Sequence, residues 1–186
     1  MKIATAYCNW EDNFSKKAHI PSVLLVDALL SHSPKYTIAI PVFRRHQLLK
    51  EALESALNQK DYLDYEILVL DDDPSRDCPT ERMMLNYGQS RVRYFKNSEN
   101  MGAIDNWNRL YALARGEYVV MLHDDDLLDA SFLKTMDNVI RHYPEYAIFY
   151  PPCRFFRDEF NPDSLQSSTI GFRGLHLKAH YFLSGN

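Results

Sequence analysis

Two groups of three consecutive aspartates, each directly after an apolar segment, are the residues of this chain best placed to do chemistry. Residues 66–70 lead into aspartates 71–73, and residues 118–123 lead into aspartates 124–126. Adjacent carboxylates repel one another and aspartate is unfavourable within strands, so two such groups indicate a cation or hydrogen-bond donors that neutralise them. Carboxylate oxygens suit Mg²⁺ or Mn²⁺, which also take oxygens from substrate phosphates. Either group alone is equally typical of a turn or a helix N-cap.

The second group predicts a pair of side chains that act together. If the backbone stays extended, residues two apart face the same side, so Asp124 and Asp126 share one face. The same periodicity turns His123 away with Asp125, which argues against His123 as a metal ligand.

Strand and helix patterns alternate around these acids. The predicted fold class is α/β, a mostly parallel sheet flanked by helices, because strand-helix alternation of this kind builds such sheets. Ligands bind beyond the carboxyl ends of the strands in these folds, and both aspartate groups lie at such ends. The predicted strands are 36–42, 65–70, 92–95, 117–122 and 146–150, and the predicted helices are 46–59, 80–87, 103–115 and 129–143.

The chain divides into three parts by pattern. Residues 1–34 are predicted to be an N-terminal extension with an amphipathic helix within residues 13–30. Residues 35–150 form the α/β domain, and residues 151–186 resemble the start of a further region that is incomplete.

Composition limits the classes of partner and location. Net charge is −4, pI is near 6.0 and no dense basic run occurs, which disfavours nucleic acid or an anionic membrane as the main partner. Cys8, Cys78 and Cys153 form no CxxC motif and read as reduced thiols rather than a zinc site. No signal peptide is recognisable and no apolar run approaches the roughly 18–20 residues of a membrane span. We expect a cytoplasmic protein, at most peripheral at the inner face of a membrane.

Residues 36–150 resemble the nucleotide-binding half of family 2 glycosyltransferases, enzymes with the GT-A (Rossmann-like) fold. The resemblance stops before the acceptor-side region and its general base. The segments that carry it, in the family's order, are residues 37–45, 52–59, 66–75, 100–102, 106–108, 114–118 and 123–126.

The resemblance implies transfer of a sugar from a nucleotide diphosphate donor, such as a UDP-sugar, to an acceptor hydroxyl. It further implies an inverting, Mn²⁺- or Mg²⁺-dependent reaction, a saccharide or lipid-linked acceptor and a role in surface polysaccharide synthesis. Asp126 matches the direct metal ligand, Asp124 would reach the ribose or a metal-bound water, and Asp72 matches the residue that hydrogen-bonds the base. The positions that match nucleotide-binding residues are Pro41, Phe43, Arg44, Asp71, Asp72, Asn100, Gly102, Asn108 and Asp124.

Two departures from the family pattern qualify this comparison. Trp107 stands where many relatives have arginine, and its place on the apolar stripe of its helix predicts a core residue. No acid before Asn186 has the context of the general base, so the catalytic base is unassigned.

Three other functions fit parts of the pattern. A sugar-phosphate nucleotidylyltransferase would open with a glycine-rich loop, which residues 40–43 lack. A phosphate-accepting receiver domain would need a lysine after the fifth strand, where Pro151 and Pro152 stand. A module that binds nucleotide-sugar without turnover stays open, because the base region has no counterpart.

Overall fold

The computed structural model describes residues 16–28, 30–88 and 91–151, and the backbone of residues 173–175. Its contacts divide the chain into two units, Met1–Thr135 and Met136–Asn186. Most of the predicted acceptor-side region, Cys8 and Cys153 lie outside the described residues.

The first unit is built on a five-stranded sheet with strand order β1-β4-β3-β2-β5. β2 pairs in parallel with β3 and β5, and β3 pairs in parallel with β4, whereas β1 is antiparallel to β4. The α/β prediction is therefore confirmed. The strands of this sheet are β1 (Ser22–Val26), β2 (Tyr36–Val42), β3 (Tyr65–Asp71), β4 (Val92–Asn97) and β5 (Tyr118–Met121).

The central strands are buried along their whole length, as expected for parallel strands covered on both faces. The first helix turns an apolar face inward and buries Leu49, Ala52, Leu53 and Ala56, whose spacing is helical. The third is preceded by Gly102 as its N-cap, and the φ of 80° at this residue is costly for a residue with a side chain. The helices are α1 (His46–Leu57), α2 (Pro79–Leu85), α3 (Ala103–Leu113) and α4 (Phe132–His142).

The predicted N-terminal helix is wrong over residues 22–26, which form the edge strand β1. Pro21 cannot donate a backbone hydrogen bond, which disfavours a helix through it, and its carbonyl accepts from Ser98 N at 3.0 Å. The open edge of β4 offers backbone partners to the extended segment, with Ser22 opposite Asn97. An apolar run at a free sheet edge thus becomes a strand.

The predicted strand at residues 146–150 forms, but not in the parallel sheet. β6 (Ile148–Tyr150) pairs antiparallel with β7 (Arg173–Leu175) in the second unit. Periodicity marks a segment as extended without naming its partner, and here the partner lies more than twenty residues later in the chain.

Close packing between β2 and the turn before β5 fixes the relation of these two strands. Gly116 N donates to Thr37 Oγ1 at 2.8 Å, and a Cβ on Gly116 would lie 2.5 Å from Thr37 N. Only glycine allows this approach. Among the described residues no helix is both long and apolar enough to cross a membrane.

Candidate functional site

The two aspartate groups lie at the same edge of the sheet, on either side of the end of β2. β2 is hydrogen-bonded to β3 on one side and to β5 on the other, and all three run in parallel. Neighbouring strands are about 4.8 Å apart, so β3 and β5 run about 10 Å from each other on the two sides of β2. β3 ends opposite Val42 and β5 ends opposite Ala39, so both strands end near the carboxyl end of β2. This is the edge at which open α/β sheets bind ligands.

Asp72 anchors the loop that leads from β4 into α3. Its Oδ1 accepts from Asn97 Nδ2 at 2.9 Å and from Met101 N at 2.8 Å, and its Oδ2 accepts from Gly102 N at 2.8 Å. Asn100 Nδ2 donates to the Asp72 carbonyl oxygen at 3.2 Å. Asp72 therefore orders the segment that contains two other predicted nucleotide-binding residues.

Asp71 lies in a different environment, inside a buried polar network. Its Oδ2 accepts from Tyr94 Oη at 2.8 Å and from Lys96 Nζ at 2.9 Å, and its Oδ1 accepts from Asp73 N at 3.0 Å. Its exposed fraction is 0%. Asp71 and Asp72 therefore have different surroundings. The contacts of Asp71 stabilise the turn after β3.

The loop after β2 connects both aspartate groups through two consecutive arginines. Arg44 Nε donates to Asp73 Oδ2 at 3.0 Å, and its guanidinium lies 4.9 Å from the centre of the Phe43 ring. Arg45 donates from Nε to Asp124 Oδ2 at 3.0 Å, from Nη2 to Asp124 Oδ1 at 2.5 Å, and from Nη1 to Asp125 Oδ2 at 2.9 Å. Arg44 is therefore paired with the acidic group after β3, through Asp73, and Arg45 with the group after β5, through Asp124 and Asp125.

The second aspartate group is a turn, so the expectation of an extended backbone there is wrong. β5 ends at Met121, and Asp126 N donates to His123 O at 3.1 Å, which closes the turn. Consequently Asp124 is buried beneath Arg45 whereas Asp126 is exposed. Within the described residues, the Asp126 carboxylate has no ion pair or side-chain hydrogen bond.

The other predicted residues occupy several environments. Pro41 is buried within β2, Phe43 is 42% exposed and Asn108 is half-buried on α3. Trp107 is half-buried rather than part of the core, and its ring packs edge-on against His123 with centroids 5.1 Å apart. This contact ties α3 to the turn that carries Asp124.

Burial and hydrogen bonding act in opposite directions on the pKa values of these acids. Burial raises the pKa of Asp72, against the opposing donors Met101, Asn97 and Gly102. Burial likewise raises the pKa of Asp124, although Arg45 opposes it. For Asp73 burial is outweighed by Ser75 and Arg44, so its pKa lies below the ordinary value.

The donor set suits a cation that keeps most of its waters. The described part of the chain holds no group of three His, Cys, Asp or Glu residues arranged for a metal. Asp126 does provide an exposed carboxylate beside the sheet edge that has no partner in the described part of the chain. Mg²⁺ or Mn²⁺ commonly binds through one or two carboxylates plus substrate phosphates. The residues therefore fit such an ion.

Sequence reasoning missed the partners of the acids. From the sequence, Arg45 is one of three arginines that could meet a diphosphate, with Arg44 and Arg76, and neither Asn97 nor Lys96 carries a signal of its own. The signal for Arg45 was its place directly after β2, between the two acidic strand ends. Two open hollows on the described surface lie elsewhere, one beside α1 at Glu54 and one at the amino ends of the strands near Asp64.

Comparison with known proteins decides the family. The family model described as Glycosyl transferase family 2 matches residues 37–182. This chain belongs to glycosyl transferase family 2.

Among curated members, a Campylobacter jejuni protein named GalNAc(5)-diNAcBac-PP-undecaprenol beta-1,3-glucosyltransferase is 38% identical over 104 residues. That match covers 55% of this chain and 33% of the relative. The Escherichia coli K12 protein named putative colanic acid biosynthesis glycosyl transferase WcaA is 31% identical over 97 residues, which cover 52% of this chain and 34% of the relative. The matched region thus spans about a third of the length of these relatives.

Solved structures of family 2 members share the fold. Staphylococcus aureus TarS 1-349 in complex with UDP-GlcNAc has a TM-score of 0.53 and 22% identity, covering 59% of this chain and 32% of that one. A mannosyltransferase of Pyrobaculum calidifontis in complex with GDP-Man and Mn²⁺ has a TM-score of 0.50 and 22% identity. The match covers 67% of this chain and 37% of the mannosyltransferase chain. These likenesses support the GT-A fold.

Proposed function

We propose that this chain forms the donor-binding part of a metal-dependent glycosyltransferase that moves a sugar from a nucleotide diphosphate to an acceptor hydroxyl. The observation that carries the proposal is the convergence of both aspartate groups on the end of β2, at the ligand-binding edge of the sheet. Family membership supplies the reaction class.

The nucleotide would lie along the loops after β2, β3 and β4. Among the described residues Asp72 Oδ2 accepts one hydrogen bond, from Gly102 N, so this oxygen retains capacity for a donor group on the base. Arg44 and the exposed ring of Phe43 offer a cation and an aromatic face beside it. The remaining proposed nucleotide contacts are Pro41, Asn100, Gly102, Asn108 and Asp124, with Asp71 supporting the turn from within.

Asp126 would hold the divalent ion, with Asp124 next to the ribose or a metal-bound water. When bound, such an ion neutralises the charge that develops on the departing diphosphate. The protein supplies few ligands, and this preserves the positive charge at the phosphates. The turn closed by Asp126 N and His123 O presents that carboxylate outward.

The names of relatives guide the choice of substrates. One relative is named for a lipid-linked undecaprenol acceptor, another for colanic acid biosynthesis, and a structural neighbour was crystallised with UDP-GlcNAc. We propose a UDP-sugar or similar donor, a saccharide or lipid-linked acceptor, inversion at the anomeric centre, and a role in surface polysaccharide synthesis. The reaction would take place in the cytoplasm, at or near the inner face of the membrane.

Calorimetric titration of UDP, GDP, CDP and dTDP, each with and without Mn²⁺, tests the proposal. We expect one diphosphate to bind and Mn²⁺ to strengthen its affinity. Absence of binding by all four in both conditions would refute the proposed donor site. Incubating the preferred nucleotide-sugar with the chain and candidate acceptors then shows whether sugar is transferred or the donor is only bound.

A further inference from the structure

All three guanidinium nitrogens of Arg45 donate hydrogen bonds to the acidic turn after β5. Nε and Nη2 hold the two oxygens of Asp124, and Nη1 holds Asp125, at 2.5–3.0 Å. Such bidentate, charge-assisted pairs are among the strongest side-chain contacts. Arg45 is therefore the cation that neutralises this turn in the described structure.

The two ends of this contact differ in freedom. The Asp124 side chain is 3% exposed, whereas the Arg45 side chain is 48% exposed and lies in the loop directly after β2. The arginine can leave by a side-chain rotation, while the carboxylate is fixed by the fold. Asp124 is thus the fixed partner in this contact, and Arg45 is the partner that can move away.

We propose that Arg45 is an exchangeable internal cation that covers Asp124 in the absence of donor and transfers to the donor diphosphate when nucleotide and divalent ion bind. The inference rests on the proposed function and gives Arg45 two alternating partners, the acidic turn and the donor diphosphate. A guanidinium fork matches phosphate oxygens as well as carboxylate oxygens, so the exchange replaces one set of paired charges by another. Asp124 then becomes available to the ion beside Asp126.

This exchange predicts coupling between the two ligands. An ion that arrives alone must compete with Arg45 for the turn, whereas diphosphate removes the competitor. Nucleotide should therefore strengthen binding of the ion beyond the phosphate ligands it adds, and by linkage the ion should strengthen binding of nucleotide by the same factor.

Arg44 provides a matched control. It neighbours Arg45, carries the same charge and likewise pairs with an aspartate, but that aspartate is Asp73 on the β3 side. Replacing either arginine by glutamine removes one positive charge. The Arg44 change releases Asp73, and the Arg45 change releases Asp124 and Asp125. Only the Arg45 change opens the turn that holds Asp126.

The test measures Mn²⁺ affinity of the 186-residue chain by electron paramagnetic resonance of the free ion, with and without UDP. Without UDP, Arg45→Gln should bind Mn²⁺ about tenfold more tightly than the unaltered chain, equivalent to about 1.4 kcal/mol. Arg44→Gln, compared only without UDP because Arg44 is a proposed nucleotide contact, should stay within about twofold of the unaltered chain, since exposed charge pairs contribute little and its partner is Asp73. In Arg45→Gln the gain in Mn²⁺ affinity caused by UDP should shrink.

Several results would overturn the inference. Equal Mn²⁺ affinities in Arg45→Gln and the unaltered chain would show that Arg45 does not compete, and equal gains in both glutamine variants would show a general charge effect. Arg45→Lys, which keeps the charge but loses the fork, should give a smaller gain and carries the test if circular dichroism shows Arg45→Gln to be unfolded. If the unaltered chain binds no Mn²⁺ even with UDP, the metal assignment of the proposed function fails as well, which distinguishes the two failures.

Discussion

Replacing Asp72 by alanine should destabilise the protein by loosening the loop between β4 and α3. The carboxylate accepts three hydrogen bonds, two of them from the backbone of Met101 and Gly102. Met101 is 3% exposed, so its N–H would lose its partner without gaining water. Asn97 would keep its other bond, to Asn106 Oδ1 at 2.9 Å.

The magnitude follows from these contacts. A buried donor left unsatisfied costs about 1–3 kcal/mol, and the half-buried Gly102 N–H should cost less because water can reach it. Removing the carboxylate also removes the burial cost that raises the pKa of Asp72, which offsets part of the loss. We expect a net loss of about 2–3 kcal/mol in the free energy of unfolding, or a fall in melting temperature of about 5–10 °C.

Urea unfolding followed by circular dichroism measures this loss, and Asp72→Asn is the matched variant. Asparagine keeps the shape and one acceptor oxygen, so we expect a loss roughly half as large. A loss below about 0.5 kcal/mol for Asp72→Ala, the level of an ordinary surface substitution, would refute the view that Asp72 holds this loop.

Two further predictions concern the frame of the site. Gly116→Ala should cost about 2 kcal/mol or more in urea unfolding, because the new Cβ would lie 2.5 Å from Thr37 N, which is backbone and cannot move aside. Gly88→Ala, which meets no atom within 4 Å, should cost only about 1 kcal/mol from its φ of +61°, and equal losses in both would contradict the close-packing argument. Hydrogen bonds from Ser75 and the contact with Arg44 hold the pKa of Asp73 below its ordinary value, so these contacts with the ionised carboxylate stabilise the fold above the ordinary carboxyl pKa of about 3.9. That stabilisation is lost as pH falls through the folded value. The stability difference between the unaltered chain and Asp73→Asn should therefore shrink in unfolding curves taken from pH 6 down to pH 3, and a difference that grows on acidification would contradict this sign.

The sequence was sufficient for most of the sheet because local patterns specify its parts. β2 and β3 contain the continuous apolar runs 38–42 and 67–70, which is the pattern of strands buried on both faces. The stripe on α1 has helical spacing. These features belong to short segments and need no knowledge of distant partners.

Features that depend on distant partners could not be predicted in this way. Ser22–Val26 became a strand because the edge of β4 was open, and Ile148–Tyr150 paired with residues far along the chain. The local pattern of each segment was compatible with the observed structure but did not select it.

The candidate site shows the same division. That aspartates lie at the strand ends was readable from their positions, and the shared sheet edge followed from parallel pairing. Three other features depend on contacts between residues about 25 to 80 positions apart. Arg45 covers Asp124, Asp126 alone of its group is unpaired among the described residues, and Asp71 and Asp72 enter different environments. Charge complementarity made arginine partners for the acids reasonable without identifying which arginine served which acid.

The central claim is that Asp126 holds a divalent ion against a nucleotide diphosphate at this edge of the sheet. Its most direct test is calorimetric titration of UDP into the unaltered chain, Asp126→Ala and the neighbouring control Asp125→Ala, each with and without Mn²⁺. The account predicts that Mn²⁺ strengthens UDP binding to the unaltered chain and to Asp125→Ala but not to Asp126→Ala. Metal-dependent binding that survives in Asp126→Ala at full strength would contradict it.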